Sequence, residues 1–365
     1  MRILILADAS SPHTRRWCEG LAGLGHGITL ASFQQLREDC GGLRDFVRLT
    51  GKGRLRYRNA GGQVSALARS ADLVFAHFLP AYGVAARAAG TRFVLCLWGS
   101  DILLWPFRDA LRARTTRWVL SGATRVVADC RAVKQVSQTS FGYPPEAVEV
   151  FPFGPDQDVF GIRPGKKQKG LIISPRALEP VYGIRSIMDS LGYLADRGID
   201  YHLLMSFGGS RETEYLTYAR FKGVRFSYRG FMQRAQYLES VAHSEIYLSA
   251  ALSDATPVSL LEAMALGSFP VVSDLPALRE WVLDGVNGLV FRPNDPGQMA
   301  SALRRALEDS EIRERARGLN REMIDRRARW DENLGRFSHL LENLGNEAPP
   351  MLARARPGKF HSYLR

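Results

Sequence analysis

The chain has 365 residues, 45% of them apolar and 24% charged, with a formal net charge of +12. That length exceeds one compact core and fits two domains, while the composition excludes a disordered or fibrous protein. No apolar run is long enough to span a bilayer.

The opening run, M-R-I-L-I-L-A-D, turns acidic too soon for a signal peptide and reads as a first strand, so a cytoplasmic protein is expected. Cys18, Cys40, Cys96 and Cys130 are scattered without a CxxC, which predicts thiols rather than disulfides or zinc. Further strands are predicted at 28–33, 72–77, 92–98 and 124–128, with helical stretches between them. This β-α-β alternation implies a mostly parallel sheet covered on both faces. Ligands bind beyond the carboxyl ends of such strands. The residues to inspect are therefore Asp8 to His13, His77 to Tyr82, and Trp98 to Asp101. Gly23, Gly25 and Gly27 follow a helix and not a strand, and so read as a turn rather than a dinucleotide fingerprint. His77 admits two readings, a satisfied structural histidine or a ligand-facing one.

Arginines and lysines crowd 37–58 (Arg37, Arg44, Arg48, Lys52, Arg54, Arg56, Arg58) and 108–125 (Arg108, Arg112, Arg114, Arg117, Arg125). Attachment to an anionic membrane surface and a merely solvated basic face are both open. No zinc finger or RNP-type aromatic strand accompanies the charge, so nucleic acid is not an expected partner. Asp156 and Asp158 form a formal DxD, but directly after proline and glycine a metal-ligating reading is poor, and no metal is expected.

A basic linker, 163–170, precedes a second alternating series with strands predicted at 171–174, 201–205, 224–228, 245–249, 269–273 and 288–291. The strand at 245–249 leads into Ser253-Asp254-Ala255-Thr256-Pro257 and an apolar helix, V-S-L-L-E-A-M-A-L, closed by Gly267. Thr256 is a plausible N-cap and Pro257 suits the first helical position. The amides of Val258, Ser259 and Leu260 would then lack intrahelical partners at the positive end of the helix dipole, a ready phosphate site. Asp254 and Glu262, eight residues apart, bracket those amides and could hold hydroxyls on either side of a bound diphosphate. The alternative is a capped core helix whose glutamate makes an internal salt bridge. Amphipathic helices are predicted at 295–308 and 312–328, and a last helix at 330–344.

The Asp254–Glu262 spacing before E-A-M-A-L-G resembles the signature of retaining glycosyltransferase family 4, with Asp254 standing where glutamate is usual. Pro270-Val271-Val272-Ser273-Asp274, Arg279-Glu280-Trp281 and Asp284-Gly285-Val286-Asn287-Gly288-Leu289-Val290 are similar to the family in register. The resemblance implies an α/β protein of GT-B fold, two doubly wound Rossmann-like domains facing across a cleft. These would be an acceptor-side domain at 1–160 and a nucleotide-sugar donor domain at 161–329. A helix at 330–346 would cross back to the first domain, followed by a basic tail at 347–365.

The resemblance also implies roles. Arg176 would stabilise the leaving diphosphate; the lysine usual five residues on is replaced by Val181, followed by Tyr182, leaving Arg185 or the helix amides to meet the remaining charge. Asp254 would hold the sugar and Glu262 the ribose. Thr256, Pro257, Val258, Ser259 and Leu260 would form the diphosphate loop, with Phe231 framing the base. Ser10 and Ser11 stand where a glycine-rich turn often meets the diphosphate. His77, Trp98 and Asp101 would line the acceptor side, Trp98-Gly99-Ser100-Asp101 resembling the family's H-G-x-D element.

The expected activity is metal-independent transfer, without a cofactor, from a nucleoside-diphosphate sugar, UDP favoured over GDP. The acceptor would be a glycan or lipid-linked hydroxyl in cell-surface polysaccharide or lipid-linked glycan assembly. Contact with the inner face of an anionic membrane is part of this reading. A nucleotide-sugar epimerase of the same fold, or a basic nucleic-acid or membrane-binding module with a vestigial donor site, are the rival readings.

Overall fold

The computed structural model describes residues 1–36, 40–53, 55–344 and 351. Arg37, Arg54 and all of the expected tail except Met351 lie outside the described residues. Chain contacts divide the described residues into two units, Met1–Pro152 with residues 331–344, and Phe153–Trp330. The division falls at Pro152 rather than at residue 160. Val159 is fully buried in the apolar core of the second unit, which draws the 153–160 segment with it.

The first unit holds a seven-stranded, all-parallel sheet in the order β3-β2-β1-β4-β5-β6-β7. Its strands are β1 (Arg2–Leu6), β2 (Gly27–Ser32), β3 (Leu43–Arg48), β4 (Leu73–His77), β5 (Phe93–Cys96), β6 (Ala123–Ala128) and β7 (Val148–Val150). The central strands are continuous apolar runs because both faces are covered: Ile3 to Leu6, Val74 to Ala76 and Phe93 to Cys96 are all buried. The two edge strands are not among the strands read from sequence. β3 carries Arg44, Asp45 and Arg48 on an exposed edge and reads as basic loop; β7 is only three residues long.

The Trp330–Asn343 helix completes this first unit. Phe337 is fully buried, with ring centroids 4.8 Å from Trp17, 4.9 Å from Phe75 and 5.8 Å from Phe151. Asn333 donates to the Pro152 carbonyl at 3.1 Å, and His26 Nε2 lies 2.7 Å from Ser338 Oγ.

The second unit holds six parallel strands in the order β10-β9-β8-β11-β12-β13. They are β8 (Gln168–Ser174), β9 (His202–Met205), β10 (Phe226–Tyr228), β11 (Ser244–Ser249), β12 (Phe269–Ser273) and β13 (Leu289–Phe291). Successive residues point to opposite faces. Ile172, Leu203, Ile246 and Leu248 therefore pack on one side, against the Ile184–Ala195 and Pro296–Glu308 helices. Ile173, Leu204 and Tyr247 pack on the other, against the Arg234–His243 and Val258–Ala265 helices. Gly154 lies where a Cβ would sit 1.5 Å from the Ala328 carbonyl oxygen, so only glycine lets the segment entering this unit pass the segment leaving it.

Among the described residues no helix is long and apolar enough to cross a membrane. No disulfide joins the four buried cysteines.

Candidate active site

In each sheet the strand order reverses once, between β8 and β11 in the second unit and between β1 and β4 in the first. Loops leaving such neighbours diverge to opposite faces and open a crevice beyond the carboxyl ends. In the second unit those two loops carry Arg176 and Asp254.

Two contacts hold the loops together. Leu252 donates its amide to the Val181 carbonyl at 2.8 Å, and Gly183, at φ +60°, approaches Ala250 so closely that a Cβ would lie 2.2 Å from its oxygen. Arg176 Nη2 then meets Asp254 Oδ2 at 2.5 Å, while its guanidinium stacks 4.1 Å from the centroid of Tyr182. Burial disfavours the Arg176 charge, but Asp254, Tyr247 and Tyr182 more than compensate, and its pKa is raised. Burial also raises the Asp254 carboxyl, against the pull of Arg176 and the Ala255 amide. Arg185 stands over Tyr218, 4.1 Å from its centroid, rather than in the place of the missing lysine.

The helix after Asp254 begins at Val258 and not at Pro257. Pro257, with ψ 122°, is itself the cap residue, and no side chain caps the helix. Thr256 is buried and accepts from Trp281 Nε1 at 3.2 Å, a partner twenty-five residues downstream, so its hydroxyl braces the loop instead. The turn is also tighter than the sequence implies. The Leu260 amide donates to the Pro257 carbonyl at 3.0 Å and Leu261 to the same oxygen at 3.4 Å. Only the Val258 and Ser259 amides lack a main-chain acceptor among the described residues, which removes Leu260 from the expected anion donors. Ser259 Oγ lies 3.0 Å from the buried Tyr247 hydroxyl.

Glu262 is buried on this helix and meets the Arg234–His243 helix. Arg234 Nη1 donates to its Oε1, and the Tyr237 hydroxyl donates to Oε2 at 2.9 Å. Burial and the Glu262 charge push the Tyr237 phenol well up. Arg234 makes two further bonds of 3.1 Å to Asp158, so the second acid of the DxD is an ion-pair partner. Among the described residues no His, Cys, Asp and Glu group is arranged to hold a metal ion.

Sequence reading missed Arg234 and Tyr237. The available signal was their i,i+3 spacing, which puts a cation and a phenol on one helical face. Phe231 stands open, 76% exposed, edge-on to Phe207 at 5.9 Å. Phe207 adopts φ +88°, and its amide donates to the Gly230 carbonyl at 2.7 Å, extending the sheet edge past β9 and β10.

In the first unit the loop after β1 departs from its expected role. Ser10 gives both its amide (2.8 Å) and its hydroxyl (2.6 Å) to Asp8 Oδ1, and the Ser11 amide bonds the Asp8 carbonyl at 3.1 Å. The Asp8 side chain thus takes both Ser10 donors, and the Asp8 carbonyl the Ser11 amide, that the sequence offered to a diphosphate. After β4, His77 is buried between Phe75 (4.3 Å), Trp98 (5.6 Å) and Trp17 (5.7 Å), with neither ring nitrogen bonded. Burial, with His13 nearby, pushes its pKa down to about 3. Asp101 is fully buried and accepts the Leu79 amide at 3.1 Å and the Trp98 amide at 3.0 Å. Burial pushes it up to about 6 against those bonds. Its carboxylate braces the π-helical turn Phe78–Gly83 and the Trp98 loop, and that leaves Trp98 as the more accessible of the two.

Two Rossmann-like units with parallel sheets of seven and six strands make up the GT-B architecture. Residues 2–130 match the glycosyl transferase 4-like family model and residues 157–323 match that of glycosyl transferases group 1.

It is 29% identical over 174 residues to a phosphatidyl-myo-inositol mannosyltransferase of Mycolicibacterium smegmatis, covering 46% of this chain and 45% of that one. It is 26% identical over 135 residues to an alpha-D-kanosaminyltransferase of Streptomyces kanamyceticus, covering 36% and 35%. The chain thus spans less than half the length of these curated relatives. The fold is shared with Anabaena HepE in complex with UDP-glucose, at 17% identity and TM-score 0.77 over 94% of this chain and 99% of that one.

Proposed function

We propose that the protein is a retaining glycosyltransferase that moves a sugar from a nucleoside-diphosphate sugar to an acceptor hydroxyl. The observation that carries this is the Arg176–Asp254 pair at the sheet reversal, followed directly by the unpaired amides of Val258 and Ser259. A guanidinium and two helix amides form a diphosphate cradle. Glu262, one turn along, takes the ribose hydroxyls, and Asp254 the sugar hydroxyls.

In the reaction the acceptor oxygen bonds to the anomeric carbon as the bond from that carbon to the diphosphate breaks. The electron pair leaves on the phosphate oxygen, where Arg176 and the amides stabilise it. The same oxygen takes the acceptor proton, with attack and departure on one face. The products are the glycoside and the nucleoside diphosphate. In this reading protein cations do what a metal would, and no cofactor takes part.

The fold shared with a UDP-glucose complex supports UDP over GDP, and the mannosyltransferase relative supports a lipid-linked or glycan acceptor on the side of His77, Trp98 and Asp101. The exposed arginines Arg44, Arg48, Arg56 and Arg58 are suited to the inner face of an anionic membrane.

The test is thermal stabilisation by UDP, GDP, ADP and dTDP, each with and without magnesium. A metal-independent shift with UDP is expected. No shift with any diphosphate would overturn the reading. The Arg234–Glu262 pair favours a second view, in which Glu262 only ties two helices together. Glu262→Ala separates the two: a steep rise in donor KM supports the ribose role, whereas a lowered Tm with KM unchanged supports the tie.

A further inference from the structure

The second unit has a basic cavity at the end of its sheet opposite the Arg176–Asp254 pair. It encloses about 330 Å³ and is lined chiefly by Lys166, Lys167, Glu245, Arg313, Glu314 and Arg317. Lys167 directly precedes β8 and Glu245 is the second residue of β11, so the cavity lies at the amino ends of strands whose carboxyl ends lead to Arg176 and Asp254. A seven-residue strand puts the two sites about 20 Å apart.

Its carboxylates are already committed. Glu245 accepts the Gly170 amide at 2.8 Å and Arg313 Nη2 at 3.3 Å, and Glu314 pairs with Arg317 Nη2 at 3.0 Å. The cations are not fully used. Arg317 Nε is buried without a hydrogen-bond partner while its chain lies across Gly267. Lys167 Nζ spends its donors on the Leu266 carbonyl at 2.8 Å and, weakly, on Ser268 Oγ at 3.5 Å. Lys166 makes no ion pair among the described residues. Four basic side chains against two carboxylates leave excess positive charge in the cavity, and burial with Arg317 beside it pushes Lys167 down to about 7. An anion in the cavity would relieve both the repulsion and the unpaired Nε.

We propose that this cavity binds a phosphate-bearing anion, held by Lys166, Lys167 and Arg317. The volume admits a sugar phosphate as well as inorganic phosphate, and a phospholipid headgroup presents the same chemistry. The cavity reaches the donor loop through one element. Lys167 caps the carboxyl end of the Val258–Ala265 helix at Leu266, and the amino end of that helix offers the Val258 and Ser259 amides.

The experiment is calorimetric titration of the full chain in phosphate-free buffer with inorganic phosphate and with glucose 1-phosphate. In parallel, sedimentation with vesicles of phosphatidylglycerol in phosphatidylcholine tests the lipid source. Arg176→Gln is run throughout to disable the switch-point cradle. The expected result is saturable one-to-one binding that Arg176→Gln retains and that Lys166→Glu with Arg317→Gln weakens at least tenfold. Binding of the soluble phosphates names a small-molecule site; binding of the vesicles alone, lost in the same double variant, names a lipid headgroup. Absence of both, or equal affinity in the double variant, overturns the proposal. Binding lost in Arg176→Gln but kept in the double variant would assign the anion to the cradle and overturn it equally. Because Arg176→Gln separates the two sites, failure here leaves the glycosyltransferase reading standing.

Discussion

Arg176 Nη2 and Asp254 Oδ2 meet at 2.5 Å across 78 residues of sequence, joining the two loops that leave the strands where the second sheet reverses. The guanidinium proposed for the diphosphate is thus neutralised by the carboxylate proposed for the sugar. Each becomes fully available only as the other finds a new partner. Asp254→Asn should therefore bind UDP several-fold more tightly while turnover drops about 100-fold, and Arg176→Gln should lower kcat by about 100- to 1,000-fold. Calorimetry and steady-state kinetics read both; an asparagine variant that binds UDP no better would break the link.

Removal of Arg234 addresses the neighbouring pair. Its side chain is 41% exposed, so solvent already screens part of the interaction with Glu262 and Asp158. Arg234→Met should cost roughly 1–2 kcal/mol of stability. It should also raise the donor KM, because Glu262 loses the contact that fixes its rotamer. Urea denaturation and initial rates would show it; an unchanged KM would mean that Arg234 does not position Glu262.

Thr256 gives a test of the loop itself. Thr256→Val keeps the shape but leaves the Trp281 indole N–H buried without its acceptor, costing about 1–3 kcal/mol. Thr256→Ser should restore most of it. Equal stability of the valine and serine variants would show that the bond contributes nothing.

His77 sets an acid limit. Its folded pKa, about 3, lies below the 6.5 of an unconstrained imidazole, so the unfolded chain takes up the proton first. Stability is retained above pH 6.5 and lost as pH falls below it, by about 2 kcal/mol at pH 5. His77→Phe should remove that part of the slope. Denaturation at pH 7.5 and pH 5 measures it, and a slope unchanged in the variant would place the acid sensitivity elsewhere.

The central strands and the Val258 helix were legible because both are written locally. Uninterrupted apolar runs mark strands covered on both faces, and Pro257 and Gly267 bracket the helix. What was not legible depends on partners far away in sequence. Thr256 looks like a cap until Trp281 claims its hydroxyl. Ser10 looks like an anion donor until Asp8 turns back upon it. Asp101 looks like a carboxylate lining the acceptor side until the Leu79 and Trp98 amides close on it. Arg234 could not be matched to Glu262 by spacing along one element, because the pair spans two helices. The edge strand β3 shows the converse: its arginines announce solvent, and pairing with β2 is supplied by the sheet rather than by propensity.

Phe337 comes only after the chain has passed through the second unit, yet its ring is packed among Trp17, Phe75 and Phe151. A ribosome delivers those three residues long before it delivers Phe337. Throughout synthesis of the second unit, the first therefore waits with an apolar face uncovered, although domains ordinarily fold in the order in which they are made. Here the later unit can finish before the earlier one. The interval is when the nascent protein is most exposed to misassembly, and its length is set by how fast the residues between Pro152 and Asp331 are translated.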